Sequence, residues 1–123
     1  QKVKNVLSLN SKGVFQGKIF VKDKAQKTNA YQLGKAILLN DESEFNSKPE
    51  LEIYADDVKC THGSTSGSLD EDAIYYLMTR GLDRKESTSL LIDAFLNEII
   101  STIKSKSIKE FIKLKFEKQI YGY

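Results

Sequence analysis

The chain has 123 residues, 40% of them hydrophobic and 29% charged, which is enough to bury a modest core. No run of about 18 apolar residues marks a membrane span. With 19 basic and 17 acidic residues the formal net charge is +2, and such a balance points to neither nucleic acid nor a membrane as partner. A single cysteine forbids an internal disulfide, so nothing suggests secretion, and a cytoplasmic location is expected. The opening "QKVKNVLSLN" has no methionine and no long apolar stretch. It is read as an internal cut, and the chain as part of a longer polypeptide.

Residues 1–66 read as strand and turn. "GVFQGKIFVKD" alternates and then turns at Asp23-Lys24. "AILLND" is a short apolar run closed by Asn40-Asp41. "SKPELEIYADD" carries the only proline, Pro49, and then sets Leu51 and Ile53 against Glu52 and Tyr54. "DVKCTHG" places Val58, Cys60 and His62 on one side and Lys59 and Thr61 on the other. Short strands separated by turn residues predict an all-β stack. "GKIFV" and "ELEIYA" resemble each other, and Ile19 and Ile53 are 34 residues apart. Two coils of roughly 17 residues fit that interval, within the range of β-solenoid repeats. A small sandwich of hairpins is the competing reading. "HGSTSG" is taken as a short hinge.

Residues 67–123 read as helix. Three capping boxes, each an N-cap oxygen followed three residues on by glutamate, pair Ser68 with Glu71, Asp83 with Glu86 and Ser107 with Glu110. Arg80-Gly81 has the form of a helix C-terminus. The predicted helices are 69–80, 84–105 and 108–118. The second carries Leu91, Phe95 and Ile99, widened by Leu90, Ile92, Leu96, Ile100 and Ile103. So broad an arc predicts more than one packing neighbour.

Cys60 and His62 are the only cysteine and histidine. At i and i+2 in a strand both side chains leave the same face. Thiolate and imidazole are good metal ligands, yet two ligands do not close a tetrahedral site. A Cys–His nucleophile pair would further need an orienting group and an oxyanion hole. The plain reading is a buried cysteine and a hydrogen-bonded histidine at a strand end. Tyr75 and Tyr76 read as helix packing or as a partner surface. The tail "KSKSIKEFIKLKFEKQIYGY" reads as an amphipathic helix with a solvated basic face. "GKIFVKDKAQKT" lacks the phosphate-loop spacing.

Longer blocks say more. "GKIFVKDKAQKTNAYQ", "KPELEIYADDVKCTHGSTSGSLDED" and "IYYLMTRGLDRKES" resemble, in order, the C-terminal part of the SufB/SufD family, scaffold subunits of the Suf iron–sulfur cluster assembly machinery. The resemblance covers roughly residues 12 to 100. "DDVKCTHGSTSG" is similar to the D-type branch, since B-type subunits usually carry His-Glu-Ala where this chain has His62-Gly63-Ser64.

The resemblance implies a mainly β fold with α: the C-terminal part of a right-handed parallel β-helix (1–66), followed by a small helical domain (67–123). It implies no enzymatic activity. The implied partners are a SufB-type scaffold subunit and a SufC-type ABC ATPase docked on the helical region, with Tyr75, Tyr76, Met78 and Arg80 as contacts. It also implies a cluster-assembly site shared across the scaffold interface. His62, with Cys60 beside it, is this chain's side of that site, and a B-type cysteine is the other. The chain alone is then expected to bind no metal or cofactor stably, the iron–sulfur cluster being transient in the full complex. An unfinished β-helix rung at the cut N-terminal end is further expected to make the chain self-associate as a homodimer. Two other readings stand beside the scaffold: a stand-alone metal- or thiol-dependent enzyme using Cys60 and His62, and an unrelated β-solenoid protein-binding module.

Overall fold

Five strands are followed by three helices in a computed structural model that describes residues 1–120. The strands are β1 (Lys2–Leu7), β2 (Lys12–Val21), β3 (Asn29–Leu38), β4 (Glu44–Ile53) and β5 (Lys59–Gly67). They alternate between two sheets. One has the order β1-β3-β5, the other β2-β4, and every pair is parallel. Consecutive strands never pair, which removes the hairpin sandwich, because hairpin neighbours run antiparallel.

The register corrects the coil length. Ala30 faces Cys60, Val3 faces Gly34 and Lys12 faces Glu44, so one turn takes 30 to 32 residues. Ile19 lies opposite Leu51, and Ile53 lies opposite Val21. The recurrence of "GKIFV" and "ELEIYA" therefore marks one long turn of two ten-residue strands, not two short coils. The architecture is a mixture of parallel sheets and helices, and among the described residues the sheets form no closed solenoid.

Alternation builds the stack. In β2 the covered positions are Gly13, Phe15, Gly17, Ile19 and Val21, and the exposed ones are Lys12, Val14, Gln16, Lys18 and Phe20. Pro49 sits in β4, an edge strand of a two-stranded sheet, where a missing N–H is tolerated. The turns also stack. Gln26 Nε2 donates to the Asp23 carbonyl at 2.9 Å, while its Oε1 accepts from the Asp57 amide at 2.9 Å. Asn40 Nδ2 donates to the Leu9 carbonyl one turn away, also at 2.9 Å.

Two strands are longer than the apolar pattern suggests, and one was hidden. β3 begins at Asn29, well before "AILLND", and β1 occupies the lysine-rich opening. "HGSTSG" is not a hinge: its residues belong to β5 and extend the ladder on β3 as far as Ile37↔Gly67. The parallel ladder uses backbone groups, so a hydroxyl- and glycine-rich segment joins it without an apolar face of its own.

The chain separates into two compact units, with the break after Ser68. The second holds α1 (Glu71–Thr79), α2 (Arg84–Ile100) and α3 (Lys106–Ile120). The Asp83–Glu86 capping box forms as read. The other two caps differ. Asp70, not Ser68, caps α1, its carboxylate accepting from the Asp72 and Ala73 amides at 2.9 and 3.3 Å. α3 begins one residue after Ser105, whose carbonyl accepts from Lys109 N at 3.1 Å, so Ser107 lies inside the helix. At α1 the charge of Asp70 also meets the helix dipole, which favours it over Ser68.

α2 stops at Ile100, five residues short of the predicted end. Ser101 and Thr102 turn their hydroxyls back onto the Glu98 and Ile99 carbonyls at 3.4 and 2.7 Å, a competition with the helix typical of these residues. α1 ends in a Schellman turn. Leu82 N bonds Leu77 O, Gly81 N bonds Met78 O, and Gly81 takes φ +99°. Ile74, Ile92, Leu96 and Ile100 form the helical core.

Candidate functional site

Cys60 and His62 lie in the interior of β5, which runs five residues beyond His62. His62 is therefore not at a strand end, contrary to what Gly63 suggested. Their i, i+2 spacing puts both on one face. Cys60 faces Ala30 and His62 faces Gln32 across the parallel ladder. β5 is the outer strand of its sheet. Cys60 is half-buried and His62 exposed. Among the described residues, no group of three or more His, Cys, Asp or Glu side chains is gathered to hold a metal ion.

The neighbour of His62 is unusual. Gln32 is 0% exposed, although it is a polar residue in the middle of β3. Its Nε2 donates to Gln1 Oε1 at 3.0 Å, and its Oε1 is buried without a hydrogen-bond partner. Gly17 in β2 makes room for it, since a Cβ there would collide with Gln32 Nε2 and come within 2.8 Å of the Phe15 ring. The apolar pattern gave no sign of Gln32. The signal was available all the same: a glutamine at a covered alternation position, and a glycine in the same phase of β2.

A second group of polar residues lies on the outer face of β2 and β4. Glu52 accepts from Lys18 Nζ and from the Tyr54 hydroxyl, both at 2.8 Å, and the Tyr54 ring meets Phe20 edge-on with centroids 5.8 Å apart. The Lys18 hydrogen bond, and then the Tyr54 hydroxyl, hold the Glu52 carboxyl below the ordinary glutamate range. The same contacts raise Lys18 and Tyr54. Lys18 and Phe20 come from the "GKIFV" block and Glu52 and Tyr54 from "ELEIYA", so these contacts bind one turn of the stack to the next.

The four expected contact residues, three on α1 and Arg80 at its C-cap, are all exposed, Tyr75 at 70%. Arg80 lies over the Tyr76 ring, 5.1 Å from its centroid, and donates to the Tyr76 hydroxyl at 3.2 Å. Tyr75 and Tyr76 are therefore surface, and the packing of α1 is carried by Ile74.

The SufBD core domain of the SUF iron–sulfur cluster assembly system matches residues 1–95. The chain belongs to the SufBD family. It is 44% identical over 99 residues to an iron–sulfur cluster assembly SufBD family protein of Synechocystis, covering 80% of this chain and 22% of that one. It is 34% identical over 119 residues to the iron–sulfur cluster assembly protein SufD of Escherichia coli, covering 97% and 28%. Against a chloroplastic protein of Arabidopsis thaliana, ABCI7, identity is 39% over 101 residues, covering 82% and 21%. The chain thus spans between a fifth and a third of the length of these relatives. No helix among the described residues is long and apolar enough to cross a membrane.

Proposed function

We propose that this chain is part of a D-type scaffold subunit of the Suf cluster-assembly complex, cytoplasmic and without catalysis of its own. Its two parallel sheets are the C-terminal turns of a right-handed β-helix, which pairs with a SufB-type subunit. His62, with Cys60 two residues before it, supplies one side of a site at that interface where an iron–sulfur cluster is built and then released. The cluster is cargo, and the remaining ligands come from the partner. α1 docks a SufC-type ATPase, whose motion opens and closes the shared site.

One observation carries this reading: the only histidine is exposed on an outer strand, with no third metal-binding side chain among the described residues gathered beside it. An imidazole there is poorly placed to act alone and well placed to meet a second protein. The enzyme reading needs a concave pocket around Cys60 and His62. The groove between α2 and α3 and the depression beside Gln16 and Glu50 contain neither residue.

The experiment is co-purification of the full-length polypeptide with SufB- and SufC-type subunits under anaerobic conditions, followed by iron and sulfide analysis. A complex that carries iron and sulfide, and loses them on His62→Ala, supports the reading. A complex with full cluster content after His62→Ala removes His62 from the site.

A further inference from the structure

We infer that Gln32 is a positioning residue for His62: its buried side-chain oxygen accepts an N–H from the imidazole and so selects which ring nitrogen is left free to bind a metal ion. The inference rests on the reading of His62 as a ligand and deepens it.

Three rungs stack one polar side chain above the next. Leu33 pairs with Lys2, so Gln1 stands beside Gln32, and Gln32 pairs with His62 on the other side. Residues paired in a parallel ladder share a face and lie about 4.8 Å apart. Gln1, Gln32 and His62 therefore form one column along the sheet. The Gln32 amide already donates toward Gln1 through Nε2. A primary amide holds its oxygen away from its nitrogen, so Oε1 is turned from the Gln1 rung, leaving His62 as the polar group in register on that side.

The structure leaves that oxygen unsatisfied and out of reach of bulk solvent. A buried acceptor without a partner is costly, and native folds rarely keep one without a use. The position is also built. Gly17 lacks the Cβ that would displace the amide, and the Phe15 ring closes the same space. His62, in contrast, is exposed, and it pairs with Gln32 in the ladder. Closing this bond satisfies the oxygen and leaves the second nitrogen facing outward. Metal-binding histidines commonly have their other N–H held in this way, which fixes both tautomer and ring orientation.

The test reads the tautomer directly. Nitrogen-15 spectra of the full-length polypeptide at neutral pH, with the His62 signals assigned by their loss in His62→Ala, are compared for wild type, Gln32→Leu and Gln32→Glu. The expected result is one dominant neutral tautomer in wild type, a mixture in Gln32→Leu, and recovery in Gln32→Glu, whose carboxylate still accepts. A wild-type ring that shows a mixture of tautomers overturns the inference without any variant. So does a dominant tautomer that survives Gln32→Leu in a folded protein. Cluster content of the Suf complex is measured separately. If Gln32→Leu changes the tautomer while His62→Ala leaves cluster content intact, the positioning stands and the ligand reading falls.

Discussion

Lys18 Nζ lies 2.8 Å from Glu52 Oε2, although the two residues are 34 apart in sequence. They come from the paired strands β2 and β4 and sit two positions out of register, so the contact is a diagonal one across adjacent turns. Both groups are solvent-exposed, and the pair acts through titration more than through large stabilisation. Glu52 is depressed in the folded state, first by its hydrogen bond to Lys18. Its contribution is present above the unfolded glutamate range and is lost as pH falls through the folded value. Lys18 is raised, so its share is present below the unfolded lysine range and is lost as pH rises through the folded value. Carbon-detected NMR of Lys18→Met should show the Glu52 carboxyl titrating closer to the ordinary glutamate range than in wild type. An unchanged Glu52 titration would show that the ion pair is not formed in solution.

Gly17→Ala should destabilise the sheet unit. The new methyl group meets Gln32 Nε2 and the Phe15 ring, and overpacking of this kind costs about 1–3 kcal/mol. Denaturant unfolding of wild type and variant measures it. Equal midpoints would mean that Gln32 is not held between the sheets as described.

Tyr75, Tyr76 and Met78 on α1, and Arg80 at its C-cap, are each exposed. Aromatic and arginine side chains are common interface anchors, and truncating a central one costs about 2 kcal/mol or more of binding. Alanine at all four should abolish pull-down of the SufC-type ATPase while the circular dichroism of the protein stays unchanged. Retained pull-down would place the ATPase on another surface.

β5 offers an outer strand edge whose only lysine, arginine or carboxylate side chain is Lys59. Unpaired edges with few charges invite pairing with a second copy. The 123-residue chain is expected to form a two-fold dimer in sedimentation experiments, and Thr61→Lys with Thr65→Lys should weaken it by like-charge repulsion. A strict monomer at high protein concentration would contradict this.

The parts of the fold legible in the sequence are those written in local chemistry. The Asp83–Glu86 box and the Arg80-Gly81 stop are short-range hydrogen-bond patterns, and both formed. The alternation of β2 was readable because its covered and exposed positions differ in size and charge. β1 and the second half of β5 were not, because Lys2–Leu7 and Gly63–Gly67 owe their strand character to a neighbour 30 or 31 residues away. Turn length was misjudged for the same reason: the Ile19–Ile53 interval does not reveal that Ile19 pairs with Leu51. At the site, the shared face of Cys60 and His62 followed from spacing alone. The burial of Gln32 did not, since it depends on Gly17 in the other sheet.

His62 should matter for cluster assembly far more than for folding. Its side chain is exposed on an outer strand, so His62→Ala opens little cavity and should cost about 0.5 kcal/mol or less, the usual range for surface substitutions. Cys60 is half-buried and faces Ala30 in the ladder. Cys60→Ser puts a hydroxyl where a weakly polar thiol packs, and should cost about 1 kcal/mol. The two substitutions therefore separate packing from ligation. Both variants of the full-length subunit are purified with their Suf partners, and thermal stability and cluster content are measured on each complex. His62→Ala is expected to keep its melting temperature and lose most of the iron and sulfide. Cys60→Ser is expected to melt a few degrees lower and, if the thiol only packs, to keep its cluster. Loss of the cluster in Cys60→Ser at unchanged stability would make the thiol a ligand as well. Normal cluster content in a folded His62→Ala complex would return His62 to the status of an ordinary surface residue.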